Sequence, residues 1–170
     1  MKKLLKKSYF LLFVPFLLLA DQATKLLAEQ HLKGQPDYPL LPGILEFSYL
    51  ENRGAAFSSF MGMQGFLITL TSIAMLFLLF KFFQIPEGRR YFLMRLSFML
   101  IISGGIGNLI DRVTNQYVID FIYFVPINFP KFNVADCYVT VGMALLFIIL
   151  FFYYKEEEYS FLLYQKKAGE

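Results

Sequence analysis

The chain has 170 residues, of which 57% are hydrophobic and 17% charged, and its formal net charge is +3. A mean hydropathy of +0.52 excludes an ordinary soluble domain of this length, whose exterior must be wetted. The small basic excess reads as membrane topology rather than a nucleic-acid footprint, and the single Cys137 excludes an intrachain disulfide or a cysteine-rich metal site.

Lys2, Lys3, Lys6 and Lys7 precede the first apolar run, residues 8–28. This start imitates a secretory signal. Cleavage after Ala20 would want a small residue where Leu18 stands, however, and apolar residues resume at Ala23, Leu26, Leu27 and Ala28, so a retained span is expected. Asp21 and Lys25 lie four apart and share one face of that helix. They form either an ion pair that neutralises two costly membrane charges or the same pair bracing a site. Gln22 and Thr24 add little specificity.

Residues 30–65 follow as an outer segment. Pro36, Pro39 and Pro42-Gly43 break any helix, and Ile44-Leu45-Glu46-Phe47-Ser48-Tyr49-Leu50 alternates as a strand does. A small β element of two or more strands on the membrane surface is expected, ending in the turn Asn52-Arg53-Gly54. From Glu51 to Ser58 a polar knot passes into small residues, where glycine and alanine admit another backbone.

The second run, 66–83, and the third, 91–110, are joined by Pro86-Glu87-Gly88 amid Lys81, Arg89, Arg90 and Arg95. The positive-inside rule then puts this link and both termini in the cytoplasm, and residues 30–65 and 112–135 outside. Gly104, Asn108, Asp111 and Arg112 share a helical stripe, with glycines suited to close helix contact. Either a purely structural helix-end network or a site accounts for it. No strand-turn context makes it a dinucleotide fingerprint.

The second outer segment is aromatic between its polar points, with Phe121, Tyr123, Phe124, Phe129 and Phe132, and reads as an interfacial loop. It carries Asp120. The fourth run, 137–154, opens behind Asn133, which has N-cap chemistry, and Asp136, which falls where first-turn amides favour negative charge. Four runs near the ~20 residues that cross hydrocarbon predict an all-α membrane core of four transmembrane helices in one domain, 1–170.

A charged side chain within a membrane costs about 2.5–3.5 kcal/mol on insertion scales, so Asp120 and Asp136, bordering apolar runs, are functional candidates. Two such acids, if they converge, can share a proton and activate water. His31 is the only histidine, which excludes a paired-histidine zinc motif. A serine–histidine pairing with Ser58 or Ser103 has no local support, and Lys25 is already matched to Asp21. Two other classes stay open: an ion or proton transporter relaying through Asp21, Asp111, Asp120 and Asp136, and a noncatalytic assembly subunit whose acids meet a partner's cations.

Five stretches in order, Asp21-Gln22-Ala23-Thr24-Lys25, Glu51-Asn52-Arg53-Gly54-Ala55-Ala56-Phe57, Gly104-Gly105-Ile106-Gly107-Asn108-Leu109-Ile110-Asp111-Arg112, Val118-Ile119-Asp120-Phe121 and Phe132-Asn133-Val134-Ala135-Asp136, resemble the lipoprotein signal peptidase (signal peptidase II) family across nearly the whole chain. The resemblance implies a bacterial inner-membrane aspartic endopeptidase with a β-cradle over its site. Such an enzyme cuts prolipoproteins before a cysteine that already carries diacylglycerol. On matching positions it implies Asp120 and Asp136 as the catalytic dyad. Asp21, Lys25, Asn52, Gly54, Asn108, Asp111, Arg112, Asn133 and Ala135 become supporting or substrate-contacting positions. It implies no metal or cofactor, partners limited to lipid-modified precursors, membrane lipid and globomycin-type peptide inhibitors, and a monomer with its active site near the outer face. Cys137-Tyr138 departs from the small residues expected after Asp136.

Overall fold

The computed structural model describes residues 9–54 and 62–162. The N-terminal lysines, the small residues after Gly54 and the last basic residues lie outside them. Four helices are long and apolar enough to cross a membrane, over Tyr9–Leu32, Gln64–Gln84, Arg89–Asn115 and Val134–Phe152. Their regular parts are α1 (Val14–Leu32), α2 (Gln64–Gln84), α3 (Phe92–Asn115) and α4 (Val134–Phe152), followed by a single turn, α5 (Glu156–Tyr159).

α3 is the central helix: most of its apolar length is buried, against only a small part of each of the other three. The outer helices turn Phe16, Leu19, Leu76, Phe80, Phe147 and Phe151 outward, as lipid-facing surfaces do. With no hydrophobic drive between helices in lipid, α3 and α4 associate through close packing at small residues. A Cβ on Gly142 would stand 2.8 Å from Ile101 Cγ1, and one on Gly104 would strike Ala135 O and Val139 Cγ2. Ser97 adds a hydrogen bond to Gly142 O at 2.7 Å.

The sheet has three antiparallel strands in the order β1 (Tyr38–Leu41), β2 (Leu45–Asn52) and β3 (Val118–Phe124). The first two lie in the outer segment where a small β element is expected, β2 on the alternating stretch and β1 on the proline-rich stretch before it. β3 comes from the aromatic segment read as a loop, and it shares that segment with the short helical turn Val125–Ile127. Phe47 faces Ile122 and Leu50 faces Asp120, so β2 carries one extra residue between them, a β-bulge. Phe132 then bridges Ile122, fastening the approach to α4 against β3.

Two apolar clusters lie at opposite ends. Ala28 of α1 packs with Ile119 and Phe121 beneath the sheet. Phe82, Ile85, Met94, Phe98, Ile102, Ile149 and Tyr154 close the other end. A helix of 24 residues such as α3 spans about 36 Å at 1.5 Å per residue, so the two ends are separated by the hydrocarbon thickness.

Candidate active site

At the sheet end, α1, β2, α3, β3 and α4 bring polar side chains together from five regions of sequence. Asp21 and Lys25 pair at 2.9 Å within α1, and Lys25 Nζ reaches Asp111 Oδ2 of α3, also at 2.9 Å. Lys25 is 2% exposed and Asp21 fully buried, so these charges exist only because they neutralise one another. Backbone amides add to the closure of both carboxylates. Ala135 N in the first turn of α4 donates to Asp21 Oδ1 at 2.9 Å, and Ile119 N of β3 donates to Asp111 Oδ2 at 3.3 Å. Gly107 is required here because a Cβ would sit 2.5 Å from Asp21 Oδ2. Gln22, which carries no weight by residue type alone, ties Asp21 to Asp111 Oδ1 (2.9 Å) and to Gly107 O.

Lys25 also donates to Asn108 Oδ1 at 3.0 Å. An amide whose oxygen faces an ammonium must turn its NH2 the other way, and Asn108 Nδ2 donates to Asp136 Oδ1 at 2.7 Å. Asn133 repeats the device. Its Oδ1 accepts from Asp136 N at 3.0 Å as the cap of α4, and its Nδ2 donates to Asp120 Oδ1 at 2.7 Å. The cap is reciprocal, because Asn133 N donates to Asp136 Oδ2 at 3.0 Å. Asn52 makes the third case: Oδ1 accepts from Gly54 N at 2.9 Å, and Nδ2 donates to Asp120 Oδ2 at 2.8 Å. Three asparagines thus have their orientation fixed by an obligate donor on the oxygen, and all three aim their NH2 groups at Asp120 and Asp136.

The two acids reach this point on different elements. Asp120 projects from β3, where Asn52 is its diagonal neighbour across the strand pair. Asp136 stands in the first turn of α4, where the helix dipole favours negative charge and the Asn133 N–H donates to it. Both border one cavity of about 1000 Å³, lined by Leu70, Ala74 and Met75 of α2, by Ile101 and Gly105 of α3, and by Cys137 and Thr140 of α4. Phe129, Pro130, Lys131 and Phe132 complete the wall beside the sheet. Cys137, the departure from expected small residues, is half-buried on this lining.

Burial first, and the nearby Asp136 carboxylate after it, push the Asp120 carboxyl up from its ordinary 3.8 to about 7. The Asn52 and Asn133 amides pull in the opposite direction. Arg112 lines the same cavity and donates through Nη2 to Gly54 O at 3.2 Å and through Nη1 to Asn108 O at 3.3 Å. Every site residue read from the sequence is therefore present at this end. They divide into two layers: Asp120, Asp136, Asn52, Asn108 and Arg112 face the cavity, while Asp21, Lys25, Asp111 and Ala135 stand behind them. Asn133, itself fully buried, joins the layers, and Gly54 fixes Asn52.

Fold and site together define a polytopic helical membrane protein with a carboxylate pair on a cavity between its spans and a small sheet. Residues 13–152 match the family model described as signal peptidase (SPase) II, and the chain belongs to that family. It is 43% identical over 134 residues to the lipoprotein signal peptidase of Clostridium tetani (strain Massachusetts / E88), covering 77% of this chain and 85% of that protein. The lipoprotein signal peptidase of Streptococcus pyogenes serotype M1 is 39% identical over 144 residues, covering 85% and 93%. Two solved chains described as bacterial membrane enzymes, at 2.3 and 1.9 Å resolution, superpose with TM-scores of 0.74 and 0.75 at 29% and 30% identity. The superpositions cover 85% and 86% of this chain, and 88% and 95% of theirs. Membership makes the chain a multi-pass membrane protease.

Proposed function

We propose that Asp120 and Asp136 act as an aspartic dyad in the removal of signal peptides from prolipoproteins, the activity that family membership assigns to this chain. The observation that carries this is the convergence of both carboxylates on one cavity under three oriented asparagine amides. Asp120, whose carboxyl is raised to about 7 and whose oxygens are fixed by Asn52 and Asn133, is the member assigned the shared proton. Asp136, to which the Asn133 backbone N–H and the Asn108 amide donate, remains the base. It takes a proton from water as the water oxygen attacks the scissile carbonyl. Asp120 donates a hydrogen bond to the carbonyl oxygen, and the proton gathered by the pair passes to the leaving amine.

The apolar walls from α2, α3 and α4 suit a substrate whose diacylglyceryl chains stay in the bilayer while the bond before the modified cysteine is held at the acids. The basic residues gathered at the far end support a bacterial cytoplasmic membrane protein with both termini in the cytoplasm and the dyad near the outer face. It would act as a single domain and as a monomer, with globomycin-type peptides as competitors for the cavity. A four-acid transport relay is disfavoured because Lys25 already engages Asp21 and Asp111.

Purified protein incubated with a lipidated precursor peptide, with and without globomycin, tests the proposal, and a peptide with an unlipidated cysteine serves as control. Asp120→Asn and Asp136→Asn should each lower kcat by about 10³-fold or more while leaving an inserted, folded protein. Normal cleavage by both variants would end the dyad assignment.

A further inference from the structure

Ser48 is 1% exposed on β2 and lies in the bulge between Phe47 and Leu50. Its hydroxyl accepts from Lys131 Nζ and donates to Asp37 Oδ1. An ammonium and a carboxylate are thereby joined through one buried hydroxyl that ties three places together: the approach to β1, the bulge of β2 and the approach to α4. Tyr123 supports the lysine, with its ring centroid 5.7 Å from Nζ. Burial excludes Ser48 as a nucleophile, since no peptide bond could reach it.

Lys131 belongs to the stretch 129–132 that walls the cavity. The residue after it, Phe132, bridges Ile122 of β3 through hydrogen bonds at 2.9 and 3.0 Å, and Asn133 follows with its amide on Asp120. Pro130 has no N–H to contribute, so the lysine side chain supplies a tether that the backbone cannot supply at that point. Resting on the dyad assignment, we propose that Lys131 is a positioning residue. Through Ser48 and Asp37 it fixes the 129–132 wall against the sheet and so holds the Asn133 cap, and with it both aspartates, in register on the scissile bond.

The test uses the full-length protein and the lipidated peptide. Lys131→Met keeps the aliphatic stem and removes the donor, and Ser48→Ala removes the relay with little change of volume. Both should lower kcat about tenfold with KM near the parent value, because misplaced catalytic groups cost turnover while the apolar contacts that bind lipid persist. Lys131→Arg should restore most of kcat. Loosening the Asn133 donation should also move the limb of the pH–rate profile that belongs to Asp120 upward. The charged groups facing Asp120 from other elements, Asp136 of α4, Lys25 of α1 and Arg112 of α3, are unchanged in these variants.

Parental kcat and an unmoved limb in Lys131→Met would overturn the proposal. A raised KM with kcat retained would do the same, by making Lys131 a substrate contact. So would a lowered unfolding temperature with no rescue by arginine, which would mark general weakening. If Lys131→Met is parental while the aspartate variants are dead, only the tether fails. If the aspartate variants cleave, the dyad fails first.

Discussion

The two ends of the molecule treat charge in opposite ways. At the sheet end, Asp21, Lys25, Asp111 and Asp120 are all nearly or fully buried, and each is closed by donors or counter-charges fixed in place by neighbouring elements. At the far end, Arg90 is partly exposed and pairs with both oxygens of Glu158 at 2.9 and 3.0 Å, with Tyr153 O at 2.6 Å and over the Tyr153 ring at 4.0 Å. Arg95 satisfies itself on Pro86 O and Gly88 O, and Lys81 reaches Phe161 O. One end cannot lose a member without stranding a charge out of water. At the other, Arg90 and Glu158 can hand their partners to solvent, while the buried Arg95 is closed by backbone carbonyls. That asymmetry follows from using the same chemistry at different depths, and it assigns unequal costs to single substitutions.

The largest stability effect falls on Lys25. Lys25→Met keeps its volume but leaves Asp21 and Asp111 facing each other, and stranding buried partners typically costs about 3–5 kcal/mol. Thermal unfolding in detergent should show that loss, and adding Asp111→Asn should recover part of it, because the two sites share one network. Asn108 would also lose the donor that orients it, so cleavage should fall with stability. An unfolding temperature equal to the parent's would mean that the buried triad does not separate the two ends.

How much of this end was legible depended on sequence separation. The Asp21–Lys25 pair and the Asn133–Asp136 cap are spaced three or four residues apart, and helix geometry alone reveals them. The stripe Gly104, Asn108, Asp111 and Arg112 was visible too, but not its targets, which lie on α4, on α1 and at Gly54. β3 was hidden because its run of Phe121, Ile122, Tyr123 and Phe124 lacks alternation, and pairing with a strand about 70 residues earlier leaves no local mark. Gln22 could have been suspected as an uncharged polar group inside an apolar run. Ser48 and Lys131 carried no such signal, since a serine in a strand and a lysine in a loop are ordinary. What identified the aspartates as a pair was the order of five motifs, which encodes long-range contact without displaying it.

A pH series sharpens the contrast at a single carboxyl. Asp120 has its pKa raised from 3.8 to about 7, so between those values the native chain keeps a proton that the unfolded chain has released. Stability contributed by this group therefore falls as pH rises through that interval and is level above it. In Asp120→Asn the contribution should vanish, flattening the dependence between pH 4 and 7. Cleavage should decline as pH rises through about 7, because the carbonyl then loses its acid. Parallel stability curves for parent and variant would show that Asp120 is not the group taking up the proton.

The smallest effect should come from Arg90. Arg90→Met removes an ion pair with Glu158, a hydrogen bond to Tyr153 O and ring contacts, yet the guanidinium is 43% exposed and the freed oxygens can turn to water. Cleavage of the lipidated peptide should stay within about twofold of the parent, and the unfolding temperature should fall only slightly. α3 nevertheless runs unbroken from this end to Asp111 and Arg112, so a mechanical link exists if the helix shifts as a rod. Loss of cleavage in Arg90→Met without unfolding would reveal such coupling. Retained cleavage would mean that the contacts α3 makes at the sheet end suffice to hold it there, with the basic end serving insertion and not catalysis.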